Sequence, residues 1–192
     1  RKAKYLFVAH GLGGGVMKHL QELADYISAD VDCFFLKPGD GNFIELGCHC
    51  SEYHWSLFFD LGSEYQKLLE LLVGLDVERV HLHHLMGVPD AVLSLLNDLA
   101  VPFDVTLHDY YFVNSNPTLT DSRGVFAEDA ASRDSVCAES YPLPQQMQVV
   151  EWRAKYSGLL SKADRIFSPS QRCKDVHLEY FPDLHIAVAY HP

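Results

Sequence analysis

Four glycines, Gly11, Gly13, Gly14 and Gly15, fall within five consecutive positions, between a short apolar run at 5–9 and a segment of helical periodicity. A helix start presents unpaired N–H groups and a partial positive charge, and glycine lets a ligand approach that backbone closely. The chemistry offered is phosphate or carboxylate binding, with Gly13, Gly14 and Gly15 as the cradle. Lys18 and His19 follow. Cations at a helix start oppose the macrodipole, so they point to an anion held against them. The competing reading is a tight strand-to-helix connection that uses glycine only for its φ/ψ freedom. Spacing disfavours two common phosphate motifs. A dinucleotide fingerprint counted from Gly11 and Gly13 needs Gly or Ala where Val16 stands, and an acid ending the next strand, where Leu36 and Lys37 stand. A P-loop needs Gly-Lys-Ser/Thr, and Met17-Lys18-His19 does not supply it.

Histidine is the second reactive group, with eleven in the chain. His81-Leu82-His83-His84 and His108-Asp109-Tyr110-Tyr111 both close apolar runs. His108 is suited to hydrogen bonding at a reacting centre; Asp109 either orients a histidine or caps a turn. Cys48-His49-Cys50 raises a metal-binding alternative. A C-x-C pair without a second ligand couple is not the usual zinc pattern, and His81 and His83 alternate with His84 across strand faces. No stoichiometric metal is therefore expected.

The elements that must position these groups alternate. Residues 5–9, 31–36, 80–83, 103–108, 165–168 and 186–189 read as strands, and 43–46 and 53–59 as two extended pieces joined by a Gly-Cys-His-Cys turn. Val16, Leu20, Leu23, Ala24 and Ile27 form one helical stripe. Further helices are read at 61–73, 89–99, 145–161 and from an N-cap at Ser170 to about Tyr180. Repeated βα units imply an α/β fold with a doubly wound, mainly parallel sheet, in which ligands sit beyond the carboxyl ends of the strands. The glycine turn, His83 and His84, and His108 to Tyr111 are then expected at one site. Residues 114–144 break the pattern with small polar residues and read as a poorly ordered lid, which on the family resemblance given below would lie on the acceptor side.

Composition bounds the function. The 192 residues are 48% hydrophobic and fit one globular domain spanning 1–192. A formal charge of −11 argues against a nucleic-acid groove or a polybasic membrane contact. No stretch is long enough to span a bilayer. Five irregularly spaced cysteines fit reduced thiols in a cytosol better than a disulfide framework.

Four segments, taken in order, resemble the N-terminal domain of the group 1, family 4-like, retaining glycosyltransferases of the GT-B fold. They are Gly14-Gly15-Val16-Met17-Lys18-His19, the run 80–87, Thr106-Leu107-His108-Asp109-Tyr110-Tyr111-Phe112, and the run 159–170 ending Phe167-Ser168-Pro169-Ser170. The chain departs from the family at Asn114-Ser115-Asn116-Pro117, where members often carry Cys-Pro. The resemblance implies a Rossmann-like, acceptor-side domain whose donor-binding C-terminal domain lies outside this chain. The implied reaction moves a sugar from a nucleotide-sugar donor to a glycan or lipid-linked acceptor hydroxyl with retained configuration. It requires no metal or other cofactor. His108 is implied as the catalytic group, and Gly13, Gly14, Gly15, His19, His84, Asp109 and Tyr110 as substrate- or phosphate-binding. A cytoplasmic or peripheral inner-membrane setting, in bacterial surface-polysaccharide assembly, accompanies it. The alternative is a non-catalytic glycan- or metal-binding α/β domain.

Overall fold

The structure, a computed structural model, describes residues 1–49, 54–136, 141, 143–144 and 147–190. The chain falls into two compact units, Arg1–Thr106 and Leu107–Pro192, where the sequence reading takes it as one domain.

Unit 1 is an α/β, Rossmann-like, doubly wound sheet. Strand β1 (Ala3–Val8) lies parallel to both β2 (Val31–Pro38) and β5 (Arg79–Leu82), and β5 lies parallel to β6 (Phe103–Thr106). Strands β3 (Phe43–His49) and β4 (His54–Asp60) extend the β2 side as an antiparallel hairpin. The order is β4-β3-β2-β1-β5-β6, so the winding reverses between β1 and β5. Right-handed crossovers then place helix α1 (Gly14–Ile27) on one face and helices α2 (Tyr65–Gly74) and α3 (Ala91–Leu99) on the other. The stripe read from the sequence is the buried one: Leu20 and Ala24 pack on Phe7, Ala9, Cys33 and Phe35, with Val16, Leu23 and Ile27 flanking. Burying Leu20 contributes about 2 kcal/mol. No described helix is long and apolar enough to cross a membrane.

Two boundaries move for identifiable reasons. Helix α2 starts at Tyr65 rather than 61, because the Asp60 carboxylate accepts the Gly62 N–H at 2.9 Å and the Ser63 hydroxyl at 3.0 Å, holding 60–63 in a turn. Gly47-Cys48-His49, expected in a turn, continues β3, with Gly47 opposite Ser56 and Cys48 opposite Trp55. Cys50 and Cys137 lie outside the described residues.

Unit 2 holds a parallel pair, β7 (Arg165–Ser168) and β8 (Ile186–Val188), with helices α4 (Ala130–Ser135), α5 (Val149–Leu160) and α6 (Gln171–Tyr180). The Ser170 cap is present: its hydroxyl accepts the Cys173 N–H at 3.1 Å. Helix α5 starts at Val149, where Glu151 accepts the Gln148 N–H at 2.7 Å.

The expectation of a poorly ordered lid at 114–144 is corrected over its described part. Val113, Asn114, Asn116 and Leu119 are buried. Asn114 donates to the Arg133 carbonyl at 2.7 Å and accepts the Asn116 N–H at 2.8 Å. Asn116 donates to the Thr120 carbonyl at 2.8 Å and accepts from the Thr118 hydroxyl at 2.9 Å. Arg133, 1% exposed, donates to the Ala127 and Glu128 carbonyls and pairs with Glu179. At Asn114, Asn116 and Arg133 the polar composition that reads as solvated loop forms an interior hydrogen-bond network, while 122–125 stay exposed.

Candidate functional site: the glycine loop and its histidines

The loop after β1 opens at the point where unit 1 reverses its winding, the usual ligand position in such sheets. The N–H groups of His83 and His84 both reach the Val8 carbonyl, at 2.8 and 3.3 Å, which pins the end of β5 to the end of β1. Gly13 and Gly14 have φ of 76° and 73°, a region that costs an L-residue about 1–2 kcal/mol. A Cβ at Gly13, Gly14 or Gly15 would meet nothing within 4 Å, so the loop faces open space. No side chain caps α1, and no acid stands in its first turn. The positive end of the dipole is therefore presented outward, where an anion would be stabilised.

Buried histidines lie at the ends of β1 and β5 beside this loop. His10 is buried, its Nδ1 accepts the Leu12 N–H at 3.2 Å, and its ring meets that of His84 edge-on at 4.7 Å. The Nδ1 of His84 accepts the Met86 N–H at 3.0 Å. With Nδ1 accepting, Nε2 is the donor nitrogen of each ring. On the α1 face, His83 packs between Phe7 at 5.3 Å and His81 at 4.1 Å, and His19 lies 5.8 Å from it. His81 Nε2 is 2.8 Å from the Thr106 hydroxyl.

Three expectations are refined here. Lys18 and His19 fall in the second turn of α1, because the helix starts at Gly14, and the dipole has faded there. Lys18 sits 3.6 Å from Glu22, so it stands as an i,i+4 pair rather than as a cation held against an anion. His84, read as substrate- or phosphate-binding, is buried with its ring edge-on to that of His10. The strand face alternation holds, with His81 and His83 together and His84 with His10.

The other expected site residues lie in unit 2. His108 is partly exposed and follows Leu107, whose N–H reaches the Phe167 carbonyl at 2.8 Å. Of the two roles left open for Asp109, the turn cap is present: its carboxylate accepts the Tyr111 N–H at 2.9 Å. Tyr110 stacks on His177 at 6.0 Å and meets Phe126 at 5.5 Å, and burial raises its hydroxyl's pKa.

Cys173 and His177, one helical turn apart on α6, were missed from the sequence, although their i,i+4 spacing was visible. His177 Nδ1 is 2.8 Å from the Cys173 carbonyl and 3.7 Å from its sulfur. Burial pushes the Cys173 thiol up to about 11 and His177 down to about 4. Both are neutral near pH 7, the opposite of a thiolate–imidazolium nucleophile. The Cys173 sulfur points at the Leu107 carbonyl at 3.4 Å, and the pair is packing.

No family model and no curated protein matches the chain. Among solved structures, a putative phosphomethylpyrimidine kinase from Bacteroides thetaiotaomicron is similar over all of this chain at 13% identity, with a TM-score of 0.45. A secreted C11 cysteine protease from the same organism is similar over 43% of it at 12% identity, with a TM-score of 0.28. The chain spans 64% and 29% of those two proteins' lengths. At such TM-scores neither likeness carries an argument about fold or chemistry.

Proposed function

We propose that this chain is the N-terminal, acceptor-side half of a retaining glycosyltransferase, and that its glycine loop receives the diphosphate of a nucleotide-sugar donor. The observation that carries this reading is the uncapped N-terminus of α1, opened by two adjacent glycines of positive φ at the reversal of the sheet. Such amides stabilise charge developing on a departing diphosphate, and they do so without reorganising. The resemblance to the GT-B glycosyltransferases supplies the reaction: the donor rests mainly on a second domain, and the acceptor hydroxyl attacks with retention. It also assigns His108 to hydrogen bonding near the donor sugar, where positioning and electrostatics carry retaining transfer.

The test is transfer from a nucleotide-sugar by the chain joined to its donor domain, with the product's anomeric configuration read by NMR. Retention is expected, and inversion overturns the assignment. His108→Ala is expected to lower kcat/KM by about 10²–10³ with little change in melting temperature. Unchanged turnover, or unfolding, removes His108 from the chemistry. Turnover by the chain without a donor domain overturns the two-domain reading.

A further inference from the structure

A recess separate from the glycine loop lies between α1 and the β2–β3–β4 part of unit 1, with a volume of about 330 Å³. That is near the lower end of small-molecule sites, roughly 300–1,000 Å³. Its sheet wall follows from register. Phe35 pairs with Gly47 and Gly47 with Ser56 across one row, and Lys37 pairs with Glu45 in the next. Phe35 packs in the α1 core, which fixes this face as the one α1 covers. Cys48 and Trp55 are one residue out of phase, so they reach the recess through main chain; the Trp55 ring packs on Phe34 at 6.1 Å on the other face.

Gly47 makes the floor. A Cβ there would meet nothing closer than 3.6 Å, and its φ is not positive, so neither neighbours nor backbone demand glycine. What glycine provides is room, in mid-strand, where it otherwise weakens a sheet. Beside that floor Met17, half-buried, offers an apolar surface, and Leu20 and Phe35 back it as buried core. The rim is polar and carries both signs: Lys37 lies 5.9 Å over the Phe35 ring, Glu45 accepts from the Ser56 hydroxyl at 2.6 Å, and Gln21 adds an amide.

We propose that this recess binds one neutral sugar ring over the Gly47 floor, its C–H groups against Met17 and its hydroxyls on Lys37, Glu45 and Gln21. A phosphate would meet the Glu45 carboxylate, an ammonium would meet Lys37, and a wholly apolar ligand would leave both charges unpaired. Hydroxyls donate to one and accept from the other. Calling this ring part of the acceptor rests on the transferase reading; the binding itself does not.

The experiment is an amide-resolved NMR titration of the 192-residue chain with methyl glucoside, methyl mannoside and methyl galactoside. Each is raised to about 50 mM, well above a weak-binding scale of about 1 mM. At least one is expected to shift the amides of Phe35, Gly47 and Ser56, leaving those of 13–16 in place. Gly47→Val fills the floor and is expected to abolish the shifts while melting temperature holds or rises. Glu45→Gln, on the rim, is expected to weaken binding about tenfold and provides the same test should Gly47→Val fail to fold. No shift with any of the three, shifts that survive both substitutions, or tighter binding of a uronic acid or amino sugar overturns the proposal. Pyrophosphate shifts at 13–16 report on the donor reading separately, so either can fail alone.

Discussion

The glycine loop of unit 1 and the 107–136 segment of unit 2 begin alike, each following an apolar run with small and polar residues, yet they end oppositely. The glycine loop leaves the start of α1 uncapped and faces open space. The later segment turns three of its polar side chains inward, with Asn114, Asn116 and Arg133 buried and bonded to main-chain carbonyls. Polarity therefore marks where hydrogen bonds are needed, not whether water or protein supplies them. The glycine loop keeps its donors outward, and the buried asparagines and arginine of the later segment direct theirs in.

The sharpest break in this contrast is Arg133→Ala. It removes the donors to Ala127 and Glu128 and the partner of Glu179 from a site that is 1% exposed. A loss of about 2–4 kcal/mol in urea unfolding is expected, chiefly from the two carbonyls left without donors, and a loss under about 1 kcal/mol would make the segment peripheral.

Next in size is a pH effect on the same unit. His177 is held near 4 against an ordinary 6.5, chiefly by burial. Below 6.5 the unfolded chain takes up a proton that the folded one refuses, so stability falls as pH drops from 6.5 to 4 and levels off beneath. The full span is worth up to about 3 kcal/mol. Trp152 fluorescence in a Trp55→Phe background should follow it, and His177→Phe should flatten it. A slope that persists in that variant assigns the proton elsewhere.

Substitutions in the glycine loop should perturb stability less. Gly14→Ala, at φ 73°, is expected to lose about 1–2 kcal/mol, whereas Gly15→Ala, where the φ is ordinary, gains about 0.5–1 kcal/mol by helix propensity. Equal effects at both positions would mean that the left-handed backbone at Gly14 is not fixed by the fold.

The sequence shows much of this frame. The stripe Val16–Leu20–Ala24, the strand at 165–168 and the Ser170 cap were legible because each is a local rule satisfied locally. The same holds for the glycine turn, whose conformation depends on its own residues. The Asn114–Arg133 bond spans 19 positions, and the Glu179 partner of Arg133 lies 46 positions away. No window of sequence contains such pairs, so the segment reads as solvent-facing. His84 was legible as a strand-end histidine, but its burial by His10 needs the register of β1 and β5. Asp60 shortened α2 through side-chain bonds that helical periodicity does not register.

The central claim is that unit 1 presents its α1 amides to a diphosphate. Amide NMR of the 192-residue chain with pyrophosphate tests it most directly. The account predicts saturable shifts centred on Gly14, Gly15 and Val16, weakened by added salt and lost in Gly14→Ala. Saturable binding centred elsewhere, or none at the glycine loop, would contradict it and leave the glycines as a tight turn.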